Sequence, residues 1–350
     1  MRHLIEAMAF SLVALTLVRG EPAAKKDKAT EVYKNLQLLG DLPAADLQPT
    51  MDLISGSLGV RCDFCHVDRF DRDTKAAKQT ARRMIRMVFA INQGHFEGKS
   101  AVSCNSCHRG QRHPVSTPEL GKNFWRPERK PAPPPVPSVD EILAKYVAAL
   151  GGEPALTKVT TRISTGSRID ALGTPSAEEV CQKAPNKVLI TTHYRRSIVQ
   201  NGFNGLSGWT KDGADKREIN DDMLSQLRRE ADLSWNIQLK QRYSVLTTAG
   251  TARVGGREAY VLLATPAEGT PEKLYFDTQT GLLLRIYRET PSILCPYPSQ
   301  TDYEDYREVD GIKLPFSIRW SIPGRTWGRK ITGVKQNTPI DDARFDPPLS

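Results

Sequence analysis

Histidine, cysteine and methionine are scarce in this chain, with six of each in 350 residues. Beyond residue 113 there is a single histidine, His193. That scarcity excludes recurring Ser/His/Asp or metal-ligand spacings from the larger part of the chain. Long apolar runs are missing too. Ala7 to Val18 is a run of 12 residues, too short to span a bilayer, and no later stretch is longer. Aromatic residues make up only 7%, and no basic patch is interleaved with them. Nucleic acid is therefore excluded as a partner, despite a net charge of +9. With 25% charged and 39% hydrophobic residues, the composition is that of a folded protein long enough for two domains.

The few cysteines and histidines are concentrated. Cys62-Asp63-Phe64-Cys65-His66 and Cys104-Asn105-Ser106-Cys107-His108 lie 42 residues apart. Two thiols at this spacing can each add to one vinyl group of a haem, while the adjacent imidazole reaches the iron. Two other readings exist, a four-thiolate zinc site and a pair of disulfides. A histidine directly after the second cysteine of both pairs favours haem. Two covalently bound haem c groups are thus the expected cofactors. Cys62, Cys65, Cys104 and Cys107 would attach them, with His66 and His108 on the irons. A haem that cannot diffuse away points to electron transfer.

The first 20 residues read as an export signal, with Arg2 and His3 before the apolar run and Gly20 after it. Export to the periplasm agrees with the cysteines, since thioether attachment and stable disulfides both belong outside the cytoplasm. Four cysteines on haems leave Cys181 and Cys295, which are expected to form a disulfide closing a loop of about 114 residues.

A boundary is predicted at Pro127 to Pro137, Pro-Glu-Arg-Lys-Pro-Ala-Pro-Pro-Pro-Val-Pro, an extended polyproline linker. It separates residues 21–126 from 138–350. Upstream, helices are predicted over Thr30–Leu39, Leu47–Leu58 and Thr74–Asn92. In the last, Ala77, Ala81, Met84, Met87, Val88 and Ile91 recur at helical steps. Arg82, Arg83 and Arg86 would form a basic face. Downstream, Ser138 and Glu141 make a capping box for a helix to Leu150, ended by Gly151-Gly152. Strands follow from Val159, among them Lys187–Val199. Turns fall at Gly255-Gly256, Asp277–Gly281 and Asp310-Gly311, and one helix at Ile219–Ala231 interrupts them. The fold class is α+β: an N-terminal all-α dihaem domain and a C-terminal curved antiparallel half-barrel with packed helices. Trp209, Trp235, Trp320 and Phe345 are expected in its core.

A c-type haem iron has a sixth position, and a thioether sulfur there raises the reduction potential. Met1 and Met8 lie in the signal and Met223 in the second domain. Met51, Met84 and Met87 remain, each on a helix ahead of a motif. Met84 and Met87 share a helix face, so the residues alone leave both open for the second iron.

The stretch from Thr30 to Pro118 resembles the haem-binding part of the cytochrome c subunit of photosynthetic reaction centres. The shared pattern is a helix with Met51, then Cys62 to His66, then Ala81-Arg-Arg-Met84 with Met87 and Ala90-Ile-Asn92, then Cys104 to Gly110. The resemblance implies Met51 as distal ligand of the first haem and Met84 as that of the second, with Met87 packed nearby. It also implies a protein donor and a protein acceptor of electrons. That family's subunit carries four haems, whereas this chain has two motifs and an additional domain, so a direct part in photosynthesis does not follow. His95, His113 and His193 are expected to have no ligand role, with His95 in an exposed loop. Leu274 to Leu283, Asp302 to Arg307 and Asp310 to Phe316 resemble the curved sheet of lipoprotein-carrier half-barrels, over about residues 155–347. That implies a docking module or a hydrophobic ligand. The leading expectation is a periplasmic dihaem electron carrier, peripheral to a membrane complex. The alternatives are a lipid-, lipoprotein- or quinone-binding module with a haem redox sensor, and a dihaem peroxidase, which two methionine-bearing helices disfavour.

Overall fold

A computed structural model describes residues 27–118, 120, 136–219, 221–267 and 269–348. The predicted export signal and most of the proline-rich linker lie outside the described residues. The N-terminal part is helical: α1 (Ala29–Val32), α2 (Ala44–Leu58), α3 (Ala76–His95) and α4 (Cys104–His108). A 3₁₀ turn, Cys62–Phe64, carries the first motif. The helix predicted over Thr30–Leu39 is only four residues long. Asn35, at φ 59°, turns the chain away, so Leu36 to Leu39 are not helical. The two other predicted helices form, with α2 ending on Gly59 in the left-handed conformation.

After the linker, α5 (Val139–Leu150) opens with the Ser138–Glu141 capping box and ends at Gly151, φ 121°. Short α6 (Glu153–Leu156) follows. The rest is built from β1 (Thr161–Ile169), β2 (Pro175–Lys183), β3 (Lys187–His193), β4 (Ile198–Phe203), β5 (Gly208–Asp212), β6 (Asp215–Ile219), β7 (Tyr243–Val254), β8 (Arg257–Pro266), β9 (Glu272–Asp277), β10 (Leu283–Thr290), β11 (Tyr297–Val309), β12 (Ile312–Ile322) and β13 (Arg325–Gln336), with α7 (Asp221–Ala231) and α8 (Leu239–Arg242) between β6 and β7. All strands join one open, curved antiparallel sheet, ordered β6-β5-β4-β3-β2-β1-β13-β12-β11-β10-β9-β8-β7. The predicted turns at Gly255-Gly256, Asp277–Gly281 and Asp310-Gly311 join β7 to β8, β9 to β10 and β11 to β12. Lys187–Val199, predicted as one strand, is a hairpin of β3 and β4.

Helices fill one face of the sheet. On α5, Ile142, Leu143, Tyr146 and Leu150 pack against Leu262, Leu274, Phe276, Leu283, Leu314 and Phe316. On α7, Leu227 and Ala231 pack against Val180, Val188, Ile190 and Phe203. Successive strand residues face opposite ways, so Cys181, next to Val180, lies on the other face with Leu189, Trp209, Ile340 and Phe345. Trp209 donates to the Phe345 carbonyl (2.8 Å). Trp320 and Trp235 are half-buried, and Trp320 stacks on Trp327 at 6.5 Å.

The expected Cys181–Cys295 disulfide is not present, and both thiols are free. Cys181 is under the C-terminal segment. Cys295 sits in the β10–β11 connection, in a cluster with Leu53, Ile85 and Leu294. That cluster joins α2 and α3 to the sheet, so the helical and sheet parts share buried apolar surface.

Candidate haem-binding sites

Helix α3 connects the two motifs and is anchored at both ends. At its start, Lys78 and Arg82 point into the chain that follows the first motif. Arg82 Nη1 donates to Asp73 Oδ2 (2.6 Å) and Nη2 to the Asn35 carbonyl (3.3 Å). Lys78 Nζ donates to the carbonyls of Phe70 (2.8 Å) and Arg72 (2.9 Å) and pairs with Asp73 (3.0 Å). These hydrogen bonds hold the Asp73 carboxyl well below the usual carboxylate range, Arg82 contributing most and Lys78 next. Arg82 is thus a buried structural ion, not part of a basic outer face with Arg83 and Arg86. At the far end, buried Asn92 brackets Val102: its Nδ2 donates to the Val102 carbonyl (2.8 Å), and its Oδ1 accepts from the Val102 N–H (2.9 Å). The chain is thereby fixed two residues before Cys104.

The second motif packs on the helix that carries Met51. Gly110 N donates to the Ser57 carbonyl (2.9 Å). A Cβ on Gly59 would lie 2.1 Å from the Gly110 carbonyl oxygen, and Gly59 has φ 63°. Only glycine fits there. Arg112 lies over the Phe64 ring, 5.5 Å from its centroid, tying the two motifs together.

Each motif histidine is oriented by one ring nitrogen. His66 Nδ1 lies 3.2 Å from the Phe70 carbonyl, and His108 Nδ1 lies 3.0 Å from the Gln111 carbonyl. A carbonyl only accepts, so Nδ1 carries the proton and Nε2 carries the lone pair. This is how an iron-binding imidazole is ordinarily held. Burial pushes the His66 pKa down, with a smaller opposing effect from the Phe70 carbonyl and further lowering by Lys78, Arg82 and Lys75. These effects favour the neutral imidazole, the form that can bind a metal. Burial also pushes the Cys65 and Cys104 thiols up. Cys62 and Cys107 are exposed.

The methionines fit the same arrangement. Met84 and Met87, on α3 with buried Ile85 and Val88, are 37% and 44% exposed. Two exposed thioethers on one helix suit a surface that an apolar group would cover. Met51 is half-buried on α2. His95 is exposed, but as the last residue of α3 and not in a loop. Among the described residues no group of three or more His, Cys, Asp and Glu is placed to hold a metal ion, so the four cysteines do not gather into a zinc site.

Two Cys-x-x-Cys-His segments with imidazoles held in this way have the chemistry that haem c attachment needs. Comparison with known proteins agrees. Residues 7–132 match the family model of the photosynthetic reaction centre cytochrome C subunit. The chain is 34% identical over 114 residues to the photosynthetic reaction center cytochrome c subunit of Thermochromatium tepidum, covering 30% of this chain and 28% of that one. It is 31% identical over 104 residues to the same subunit of Roseobacter denitrificans, covering 27% and 28%. Cytochrome c-554 of Chloroflexus aurantiacus is 31% identical over 124 residues, covering 33% and 28%. The chain thus spans little more than a quarter of the length of these curated relatives. Among solved structures, a putative outer membrane lipoprotein-sorting protein domain from Vibrio parahaemolyticus aligns with a TM-score of 0.43 at 12% identity, over 59% of this chain and 95% of that one. A LolA superfamily protein from Nitrosomonas europaea aligns with a TM-score of 0.42 at 12% identity, over 61% and 99%.

The sequence pattern named the motif and methionine residues. It missed the supports beneath them: Lys78, Arg82 and Asp73, the pair Gly59 and Gly110, and the contact of α2 with the sheet. A Lys and an Arg four residues apart on an otherwise apolar helix face were the one signal available for the first group.

Proposed function

We propose that this chain is an exported dihaem c-type cytochrome that passes electrons between a protein donor and a protein acceptor. Cys62 and Cys65 attach the first haem and Cys104 and Cys107 the second. His66 and Met51 are the ligands of one iron, His108 and Met84 those of the other. Bound haem supplies a one-electron iron couple. The protein fixes the imidazole tautomer through the Phe70 and Gln111 carbonyls, and a thioether on each iron favours the reduced state. The observation that carries this reading is the paired Nδ1–carbonyl geometry, repeated at both motifs. Helix α3, braced at both ends, holds the two sites at a fixed spacing and so favours transfer between them. The two Cys-x-x-Cys-His segments in the sequence support a count of two haems. The export signal and periplasmic location belong to this same reading.

The lipid-binding alternative has less support, because α5 and α7 already occupy one face of the sheet with buried side chains. The test is a mass and a haemochrome spectrum of protein made in a host that matures cytochromes c. A mass two haems above the polypeptide and a Soret band are expected. A polypeptide without covalent haem under those conditions would end the proposal.

A further inference from the structure

Helix α2 is gripped by the sheet at three adjacent places, immediately after Met51. Asp52 is buried, its side chain 8% exposed. Its Oδ2 accepts from Arg325 Nη2 (2.5 Å), and its Oδ1 accepts from Gln48 Nε2 one turn earlier (3.1 Å). Leu53 packs with Ile85 of α3 and with fully buried Leu294 of the β10–β11 connection. Gly56 meets the β12–β13 tip so closely that a Cβ would lie 2.9 Å from Gly324 N and from Pro323 Cβ. Both tips project from one end of the sheet, because alternate connections of an antiparallel meander share an end. Residues 52, 53 and 56 form one face of α2. Met51 is on the neighbouring face, about 100° round the helix from Asp52.

This face fixes both the rotation and the height of α2. A buried carboxylate has few ways to stay satisfied, so breaking its pair with Arg325 has a large local effect. The Gly56–Gly324 approach leaves no room for the helix to slide. A thioether must reach an iron from one defined rotation of its helix, since a displacement of about 1 Å is enough to weaken a site.

We propose that Arg325, through Asp52, is a positioning residue for the Met51 thioether, so that the C-terminal sheet sets the axial ligation of the first haem. The inference rests on the reading of Met51 as an iron ligand. The sheet is in this view an integral part of the cytochrome, and anything that shifts its β12–β13 tip alters the first haem's potential.

The test is a spectroelectrochemical titration of the full-length haem-loaded protein and of Arg325→Ala, Asp52→Ala and Arg325→Lys. Both alanine variants are expected to lower the potential of one haem and to weaken its methionine–iron charge-transfer band, with a smaller effect on the other haem. Arg325→Lys, which keeps the charge and one donor, should retain more of the band. A purely electrostatic influence gives opposite signs: loss of the Arg325 charge lowers the potential, and loss of the Asp52 charge raises it. Opposite signs with the band intact would overturn the proposal. So would lower thermal stability with both potentials unmoved. If an alanine variant fails to accumulate, Asp52→Asn and Arg325→Lys decide the matter, with smaller shifts of the same downward sign expected. A methionine–iron band missing from the unsubstituted protein would sink the Met51 assignment itself, a result distinguishable from failure of the variants.

Discussion

At His66 and His108 the backbone does the orienting. A carbonyl four residues on in the first case, and three in the second, fixes the protonated nitrogen. The same carbonyl of Phe70 also accepts from Lys78, which in turn pairs with Asp73. One carboxylate thus stands behind the loop that holds the first imidazole. The Asp73 carboxyl is depressed in the folded protein, so its contribution is present above the ordinary carboxylate value and is lost as pH falls through the folded value. Thermal unfolding followed against pH should show Asp73→Asn less stable than the unsubstituted protein near neutrality. The difference should close in acid, and a gap that stays constant down to low pH would contradict this role. Met84 and Met87 give a second test at this scale. Met84→Leu should abolish the methionine–iron band of the second haem, whereas Met87→Leu should leave it. The reverse outcome would exchange the two residues. The motif residues were legible in the sequence because Cys-x-x-Cys-His is a fixed spacing. The carbonyl partners were not, because any residue can supply a carbonyl.

At the scale of elements, α3 works as a brace whose two ends are tied to the motifs by buried polar groups. Asn92 makes both of its hydrogen bonds to a single residue, Val102. Asn92→Leu would leave a part-buried N–H and C=O without partners and should cost about 2–3 kcal/mol. Chemical denaturation of the haem-loaded protein would read this as a lower midpoint at unchanged slope. An unchanged midpoint would show that the bracket is dispensable. Helix α3 could be predicted because its apolar residues recur at helical steps. The first predicted helix shrank to four residues because Asn35 takes a left-handed conformation, which periodicity does not register. Lys187–Val199 read as one strand because its β-branched residues run on to the hairpin, whose turn at residues 194–197 has no glycine to mark it.

For the whole molecule, the proline-rich segment between the helical and sheet parts reads as a boundary, yet Leu53, Ile85 and Leu294 form one cluster across it. Each such buried aliphatic side chain contributes roughly 1.5–3 kcal/mol relative to exposure. With the Asp52–Arg325 pair added, the two parts should remain associated after the segment 127–137 is cut. Gel filtration of the nicked protein should give one peak containing both fragments, and separate elution would contradict a shared interface. No sequence pattern predicts this contact, since Leu294 and Arg325 lie more than 200 residues from the α2 residues they touch. For the same reason the spare cysteines were paired wrongly. Counting cysteines cannot reveal that β2 turns Cys181 to one face while Cys295 reaches α2 and α3. Burial pushes the Cys295 thiol up, against a smaller effect of its hydrogen bond with Ser103, beside Cys104.

Dihaem electron transfer is tested most directly by a redox titration of the purified protein followed by absorption from the Soret to the far-red region. Two haem equivalents per chain are expected, both low-spin in each oxidation state, each with a methionine–iron band in the ferric form. Met51→His and Met84→His should each lower one potential only. A single haem, a high-spin iron with an open position, or spectra without methionine ligation would contradict a dihaem carrier with His–Met ligation.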